Sequence, residues 1–287
     1  MSTSLQAQQL TDPITVHGEG PVWFEETGEL RLVDMLAGDL LSMATDGSIT
    51  RRHVGDVAAA LRPRAAGGFV VAVEHGFALD AGDGSPLRPL PEILTDPGLR
   101  MNEGGCDPDG RFYCGSMAYD QALGAGALYR LDTDGSVATV ITGCTISNGL
   151  DWSPNGEFAY YVDTPTQRID VFDYDPSGEL SGRRPFVTIE EADGSPDGLT
   201  VDAEGGVWVA LWGGAQVRRY SAEGRLDAVI GVPATQVTAC TFGGPKLDQL
   251  FITTSRLDLS AEDEPLAGAV FSVDAGVEGL PARRYRG

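Results

Sequence analysis

Three oxygen-bearing side chains, each followed directly by glycine, are the residues best suited to chemistry in this chain: Glu19-Gly20, Asn148-Gly149 and Asp197-Gly198. Two carboxylates and a carboxamide suit a hard divalent cation such as Ca2+ or Mg2+, with water or substrate completing the shell, and glycine lets the backbone pass close to it. Zn2+ or Mn2+ could use the same oxygens, although no thiolate or histidine group marks a dedicated soft-metal site. The three pairs lie in His17-Gly-Glu-Gly-Pro-Val-Trp23, Ile146-Ser-Asn-Gly-Leu-Asp-Trp152 and Pro196-Asp-Gly-Leu-Thr-Val-Asp202, and a fourth polar stretch is Arg100-Met-Asn-Glu-Gly-Gly105. Spacing alone leaves open that these are ordinary turn residues.

The elements that must position them repeat. A Gly/Asp-rich turn and a short apolar, β-prone run recur at Gly28–Val33, Gly67–Val73, Gly110–Cys114, Gly156–Val162, Gly205–Leu211 and Leu247–Thr253, about 39 to 49 residues apart. A second run follows each copy, at Asp39–Met43, Gly76–Leu79, Ala127–Leu131, Arg168–Phe172, Gln216–Tyr220 and Ala269–Val273. Six copies in two registers predict an all-β, six-bladed β-propeller with a central metal site, in which stacked blades bury faces that one blade could not. Each polar stretch precedes a first-register run, in the first, third, fourth and fifth blades, so all four are expected at one place in space, the central channel. One domain over 1–287 is expected. Residues 1–10 either lack fixed order or close the ring, with a strand from about Leu10 to Val16 completing the last blade. The one stretch that invites a helix is Val54 to Leu61.

Composition narrows the function. With 42 acidic against 20 basic residues and a formal net charge of −22, the chain would repel phosphate backbones, so no nucleic-acid partner is expected. No apolar run approaches a membrane span and no signal-peptide pattern opens the chain, so a cytoplasmic protein without membrane or obligatory protein partner is expected. Cys106, Cys114, Cys144 and Cys240 have no paired spacing and read as buried free thiols. Asp132-Thr-Asp-Gly135 lacks the Gly and Glu positions of an EF-hand loop and reads as a hairpin turn. Three histidines without a Gly-x-Ser-x-Gly run give no support to a Ser-His-Asp hydrolase. Trp152, Trp208 and Trp212 read as core or channel wall, core being the better reading.

The chain resembles the gluconolactonase and regucalcin (senescence marker protein) family of six-bladed propellers from about residue 14 to 275. The resemblance rests on Gly18-Glu-Gly-Pro-Val-Trp23, Arg100-Met-Asn102, Asp107-Pro-Asp-Gly-Arg111, Gly115-Ser-Met117, Ser147-Asn-Gly149, Trp152-Ser-Pro-Asn-Gly156, Pro196-Asp-Gly198, Val209-Ala-Leu-Trp-Gly-Gly214 and Phe242-Gly-Gly-Pro245. It implies that Glu19, Asn148 and Asp197 hold one catalytic divalent ion, Ca2+ first, and that Arg100 and Asn102 contact substrate oxygens. Glu103 stands where many such proteins have aspartate. Asp120 roughly matches a substrate-touching glutamate, although Tyr119-Asp-Gln-Ala-Leu123 departs from the pattern. His17 points to the face of Glu19 if the segment is extended; it either lines the pocket or is a structural histidine, and many similar proteins have an apolar residue there.

The implied reaction is metal-assisted hydrolysis of a small lactone, a sugar (aldono) lactone above others, with Asp197 as general base and Arg100 and Asn102 positioning the ring. Two other classes stay open: a non-catalytic calcium-binding propeller, and a metal-dependent hydrolase of another ester such as an aromatic lactone or phosphotriester. Strictosidine-synthase-like propellers share the architecture but not this metal set.

Overall fold

The computed structural model describes residues 3–287, and its β-sheets form a six-bladed β-propeller, as expected. The innermost strands are Gly18–Phe24, Ala58–Pro63, Leu99–Cys106, Ser147–Trp152, Ser195–Val201 and Val237–Gly243. Each pairs antiparallel with the next strand of its blade, and those second strands coincide with the first-register runs. The second-register runs supply the third strands. Asp132 to Gly135 is a hairpin turn: Gly135 N–H donates to the Asp132 carbonyl at 2.9 Å, and Gly135 has φ +85°. All four cysteines are buried and free.

The chain's beginning departs from expectation. Leu10 to Val16 is not a strand; the outer strand of the sixth blade is Gln8–Gln9, antiparallel to Phe271–Asp274, and Thr3–Gln6 adds a parallel fifth strand to the fifth blade beside Leu226–Gly231. Residues 10–16 have a different task, running from the outer edge of one blade to the axial start of the next. A segment running across strand ends cannot keep a ladder, and Pro13 has no N–H to offer one. Its donors reach carbonyls as they pass: Leu10 N–H to Val270, Ile14 N–H to Gly268.

No α-helix occurs among the described residues; the helical reading of Val54 to Leu61 gives way to the inner strand Ala58–Pro63. Ala58, Ala59, Ala60 and Leu61 are all fully buried. Where six strands converge, alanine is selected for size rather than helix propensity, because both faces of the strand are covered.

Each inner strand carries a register irregularity near its start: between Glu19 and Val22, Ala58 and Ala60, Met101 and Gly104, Ser147 and Leu150, Pro196 and Leu199, and Val237 and Ala239. A bulge inserts an unpaired residue and re-aims its side chain. Here the bulges bracket Asn102, Glu103, Asn148, Asp197 and their glycines, with Glu19 at the edge of the first. The second and sixth blades carry Ala59 and Thr238 there. Six equivalent bulges around one axis place four polar stretches at the centre.

At the opposite mouth, residues 278–287 cross the hairpin turns and bond to blade after blade. Ala203 N–H donates to the Glu278 carbonyl, Gly279 N–H to Leu247, Tyr285 N–H to Pro63 and Arg286 N–H to Gly110, at 2.7 to 2.9 Å. Arg284 pairs with Glu26, and Arg283 donates to the Trp152 and Ser153 carbonyls. The segment thereby floors the channel above a cavity of about 60 Å3, whose lining includes Arg62, Glu103, Asp151 and Arg283.

Candidate metal and substrate site

Glu19, Asn148 and Asp197 are buried, at 3%, 5% and 5% exposure. The glycines beside them fit close approach. A Cβ on Gly149 would sit 2.7 Å from the Asp197 carbonyl oxygen, and one on Gly198 would sit 2.5 Å from Ala239 Cβ and 3.0 Å from Glu103 Oε2. Gly20 serves differently, adopting φ +52°. The blades therefore touch at their bulges, and only a residue without a side chain fits between them.

Hydrogen bonding sorts these polar groups. Asn148 Nδ2 donates to Thr164 Oγ1 at 3.1 Å, leaving Oδ1 buried without a partner. Asp197 Oδ1 and Glu103 Oε2 are likewise buried and unpartnered, while Glu19 Oε2 accepts only from its neighbour's Gly20 N–H at 3.2 Å. Buried polar atoms are seldom left so, at a cost of about 1–3 kcal/mol each. Burial raises the proton affinity of Glu19 well above the usual carboxyl range, reinforced by Asp197 and Glu103. Burial and then Glu103 do the same to Asp197. Glu103 is pushed up to about 7, chiefly by burial, with Arg62 opposing. Carboxylates crowded out of water prefer to be neutralised, by protons or by a cation. Among the described residues no group of three or more His, Cys, Asp or Glu side chains is arranged to hold a metal. To the two carboxylates Asn148 adds an unpartnered carboxamide oxygen.

Arg100 and Asn102 meet beside this cluster. Asn102 Nδ2 donates to the Ser147 carbonyl at 3.0 Å, which orients the amide, and its Oδ1 accepts from Arg100 Nη1 at 2.8 Å. The same Nη1 contacts the Met101 carbonyl and Met35 Sδ, each at 3.1 Å. Arg100 is buried, and its guanidinium stands 5.8 Å over the Tyr119 ring, whose hydroxyl donates to Glu74 at 2.6 Å. Burial lowers its pKa against the opposing pull of Tyr119 and Glu19. This is a buried cation whose nearest restraints are a carboxamide, a carbonyl and an aromatic face.

His17 is buried at the channel's edge, its Nδ1 2.8 Å from Ser255 Oγ and its ring edge-on to Trp212 at 5.8 Å. Burial, then Arg100, lowers its pKa to about 4, opposed by Asp34. Trp152 and Trp208 are core, whereas Trp212 is only partly buried and belongs to the wall beside His17. The structure does not bring Asp120 to the cluster: it is exposed, and its carboxylate accepts from Ala122 N–H within its own loop.

Sequence reasoning missed Thr164, Ser255 and the Glu74–Tyr119 pair. Thr164 lies 16 residues from Asn148 and Ser255 lies 238 from His17. Neither stands in a motif, so no local signal could have found them.

The comparisons agree with this architecture. Residues 17–256 match the family model described as the SMP-30/Gluconolactonase/LRE-like region. The chain is 36% identical to a pentonolactonase, XacC, of Haloferax volcanii, over 93% of this chain and 94% of that protein. It is 35% identical to regucalcin of Danio rerio, over 94% and 95% of the two chains. The crystal structure of a calcium-binding regucalcin from Agrobacterium tumefaciens superposes with a TM-score of 0.93 at 28% identity, covering both chains completely. With its six blades, their shared bulges and this similarity along nearly its whole length, the chain belongs to the SMP-30/gluconolactonase/LRE-like family.

Proposed function

We propose that the protein is a metal-dependent lactonase that hydrolyses a small lactone, a sugar (aldono) lactone first, to the open-chain hydroxy acid. The observation that carries the reading is the convergence of unpartnered buried oxygens, Asn148 Oδ1 and Asp197 Oδ1, with the Glu19 carboxylate. Hard, largely anionic oxygen donors fit a divalent cation, Ca2+ first, with Zn2+, Mg2+ or Mn2+ as alternatives. Glu19, Asn148 and Asp197 would hold it. When bound, such an ion supplies Lewis-acid stabilisation of charge developing on the lactone carbonyl oxygen and acidifies nearby water.

The chain's own residues do the rest. Asp197 accepts a proton from the attacking water. The water oxygen bonds to the acyl carbon, the ring C–O bond breaks, and Asp197 returns the proton to the departing ring oxygen. Arg100, held by Asn102, donates to ring hydroxyls and fixes the orientation of the ring, with His17 on the wall opposite; Asn102 has one amide N–H left for the same task. Glu103 acts on the electrostatics of Asp197. Asp120, committed to its own loop, has no part in this scheme. The substrate is a small molecule, no nucleic acid is expected as partner, and the proposed place of action is the cytoplasm.

The test is acid release from glucono-, galactono-, xylono- and arabinono-lactones by chelator-treated protein, protein reloaded with each of the four ions, and Asp197→Ala. Metal-dependent hydrolysis that disappears in Asp197→Ala is the expected result. Stoichiometric binding of an ion without hydrolysis of any lactone would favour the non-catalytic calcium-binding reading, to which the calcium-binding description of the Agrobacterium tumefaciens protein lends weight; an active phosphotriester or aromatic lactone would move the substrate instead.

A further inference from the structure

We propose that Ser255 fixes His17 as the tautomer protonated on Nδ1, so that the Nε2 lone pair faces the channel as a hydrogen-bond acceptor for a substrate hydroxyl. The argument starts from the serine. A hydroxyl has one proton and two acceptor sites. Ser255 Oγ has three neighbours: Leu257 N–H at 3.1 Å, the Val16 carbonyl at 3.3 Å and His17 Nδ1 at 2.8 Å. Leu257 N–H can only donate and the Val16 carbonyl can only accept. All three contacts become hydrogen bonds in one arrangement alone: the hydroxyl proton goes to Val16, and both acceptor sites take donors, one from Leu257 and one from His17 Nδ1–H. The reverse arrangement, with the hydroxyl donating to Nδ1, would leave two oxygens facing each other at 3.3 Å without a proton between them.

In the neutral ring the other nitrogen then carries the lone pair. His17 Nε2 has no hydrogen-bond partner among the described residues, and unlike His75 Nε2 it is not among the fully enclosed polar atoms. Trp212 packs edge-on against the ring and restricts its rotation. Arg100 presents only donors and His17 Nε2 only an acceptor, so a hydroxyl, which is both donor and acceptor, is matched by this pair, and an ether or a bare methylene is not. Ser255 is thus a positioning residue and His17 a specificity-determining one.

The hydroxyl contact rests on the lactonase reading, whereas the tautomer does not. Nitrogen-15 histidine labelling resolves both. The chain has three histidines, so His17→Phe identifies the His17 signals by their loss. In the calcium-loaded protein, His17 is expected to show a protonated Nδ1 and an unprotonated Nε2. Ser255→Ala should shift the ring toward the Nε2–H form, and Ser255→Thr, which keeps the hydroxyl, should restore the wild-type pattern. Adding xylonate, a stable open-chain hydroxy acid, should move the Nε2 resonance. A protonated Nε2 in the wild type, or an Nε2 signal unmoved by saturating xylonate, overturns the proposal. If lactones are hydrolysed, His17→Phe should lower kcat/KM roughly five- to tenfold for a hydroxylated lactone and leave a deoxy analogue unchanged. A wild type that hydrolyses nothing while its Nε2 signal responds would sink the lactonase reading and leave the tautomer assignment standing.

Discussion

At the end of the channel where the inner strands begin, Asn148 Oδ1 and Asp197 Oδ1 have no partner, and Glu103 Oε2 below them has none either. At the floor, where the same strands turn back, the equally buried Asp202 is saturated: Oδ1 accepts from Glu204 and Gly206 N–H, and Oδ2 from Trp208 Nε1 and Arg219 Nε, all within 2.9 Å. Asp151 is treated similarly, bonded by Trp152, Val201, Thr200 and Arg283. Buried carboxylates therefore occur at both ends, but only at one are they left for something else to complete. Saturation stabilises the fold, and its absence costs stability that a ligand can return. Burial and acidity alone do not separate a structural aspartate from a functional one; an open oxygen at the axis with no cation paired to it does, since Asp170 and Asp227, each also with an oxygen free of hydrogen bonds, are paired with arginines away from it.

The contrast breaks most visibly if the two kinds of aspartate are removed. Asp197→Ala should lower kcat/KM roughly 10³-fold or more by removing the proposed metal ligand and base. The melting temperature of the metal-free variant should hold or rise, since an unsatisfied buried acid has gone. Asp202→Ala should do the opposite. Orphaning Arg219, Trp208 Nε1 and two backbone donors should cost about 3–5 kcal/mol, a drop of roughly 10 °C in thermal unfolding, while kcat of the folded fraction stays within about twofold.

A milder perturbation is pH. Glu19, Asp197 and Glu103 have raised folded-state pKa values, so the folded metal-free protein holds protons that the unfolded chain releases. Stability from these groups is present below the ordinary carboxyl range and is lost as pH rises through the folded values. The chelated protein should melt several degrees lower at pH 8 than at pH 5. Added metal should raise the melting temperature more at pH 8, where protons no longer compete for the ligands. An equal metal effect at both pH values would argue against carboxylate ligation. The smallest effect belongs to the floor's edge. Arg283→Ala removes bonds to Asp151 and two carbonyls at a partly exposed position and should cost about 1 kcal/mol in denaturant unfolding without changing KM.

Much of this was legible beforehand because propellers repeat. Two registers of six runs fixed blade number and strand identity, and oxygen-bearing residues at one relative position in several blades implied one place in space. The misreadings share a cause. Leu10 to Val16 looked like a strand and Val54 to Leu61 invited a helix, because residue preferences report local cost and not where the segment must go. One stretch had to traverse a blade, and the other had to fit a crowded axis. Asp120 lies outside the buried cluster, exposed on a loop where one of its carboxylate oxygens accepts from Ala122 N–H.

The sequence by itself determined the blade count, the hairpin turns and the family, and singled out Glu19, Asn148 and Asp197 as candidates, since each is written in short-range patterns that recur. Only the tertiary structure decided which carboxylates are saturated, that bulges aim the trio at the axis, that residues 278–287 floor the channel, and that Ser255 stands behind His17. Those outcomes depend on contacts between blades and on pairs such as 17 and 255, 238 residues apart. A ring closes such contacts around its axis, and no stretch of chain records a neighbour it meets only once the ring is closed.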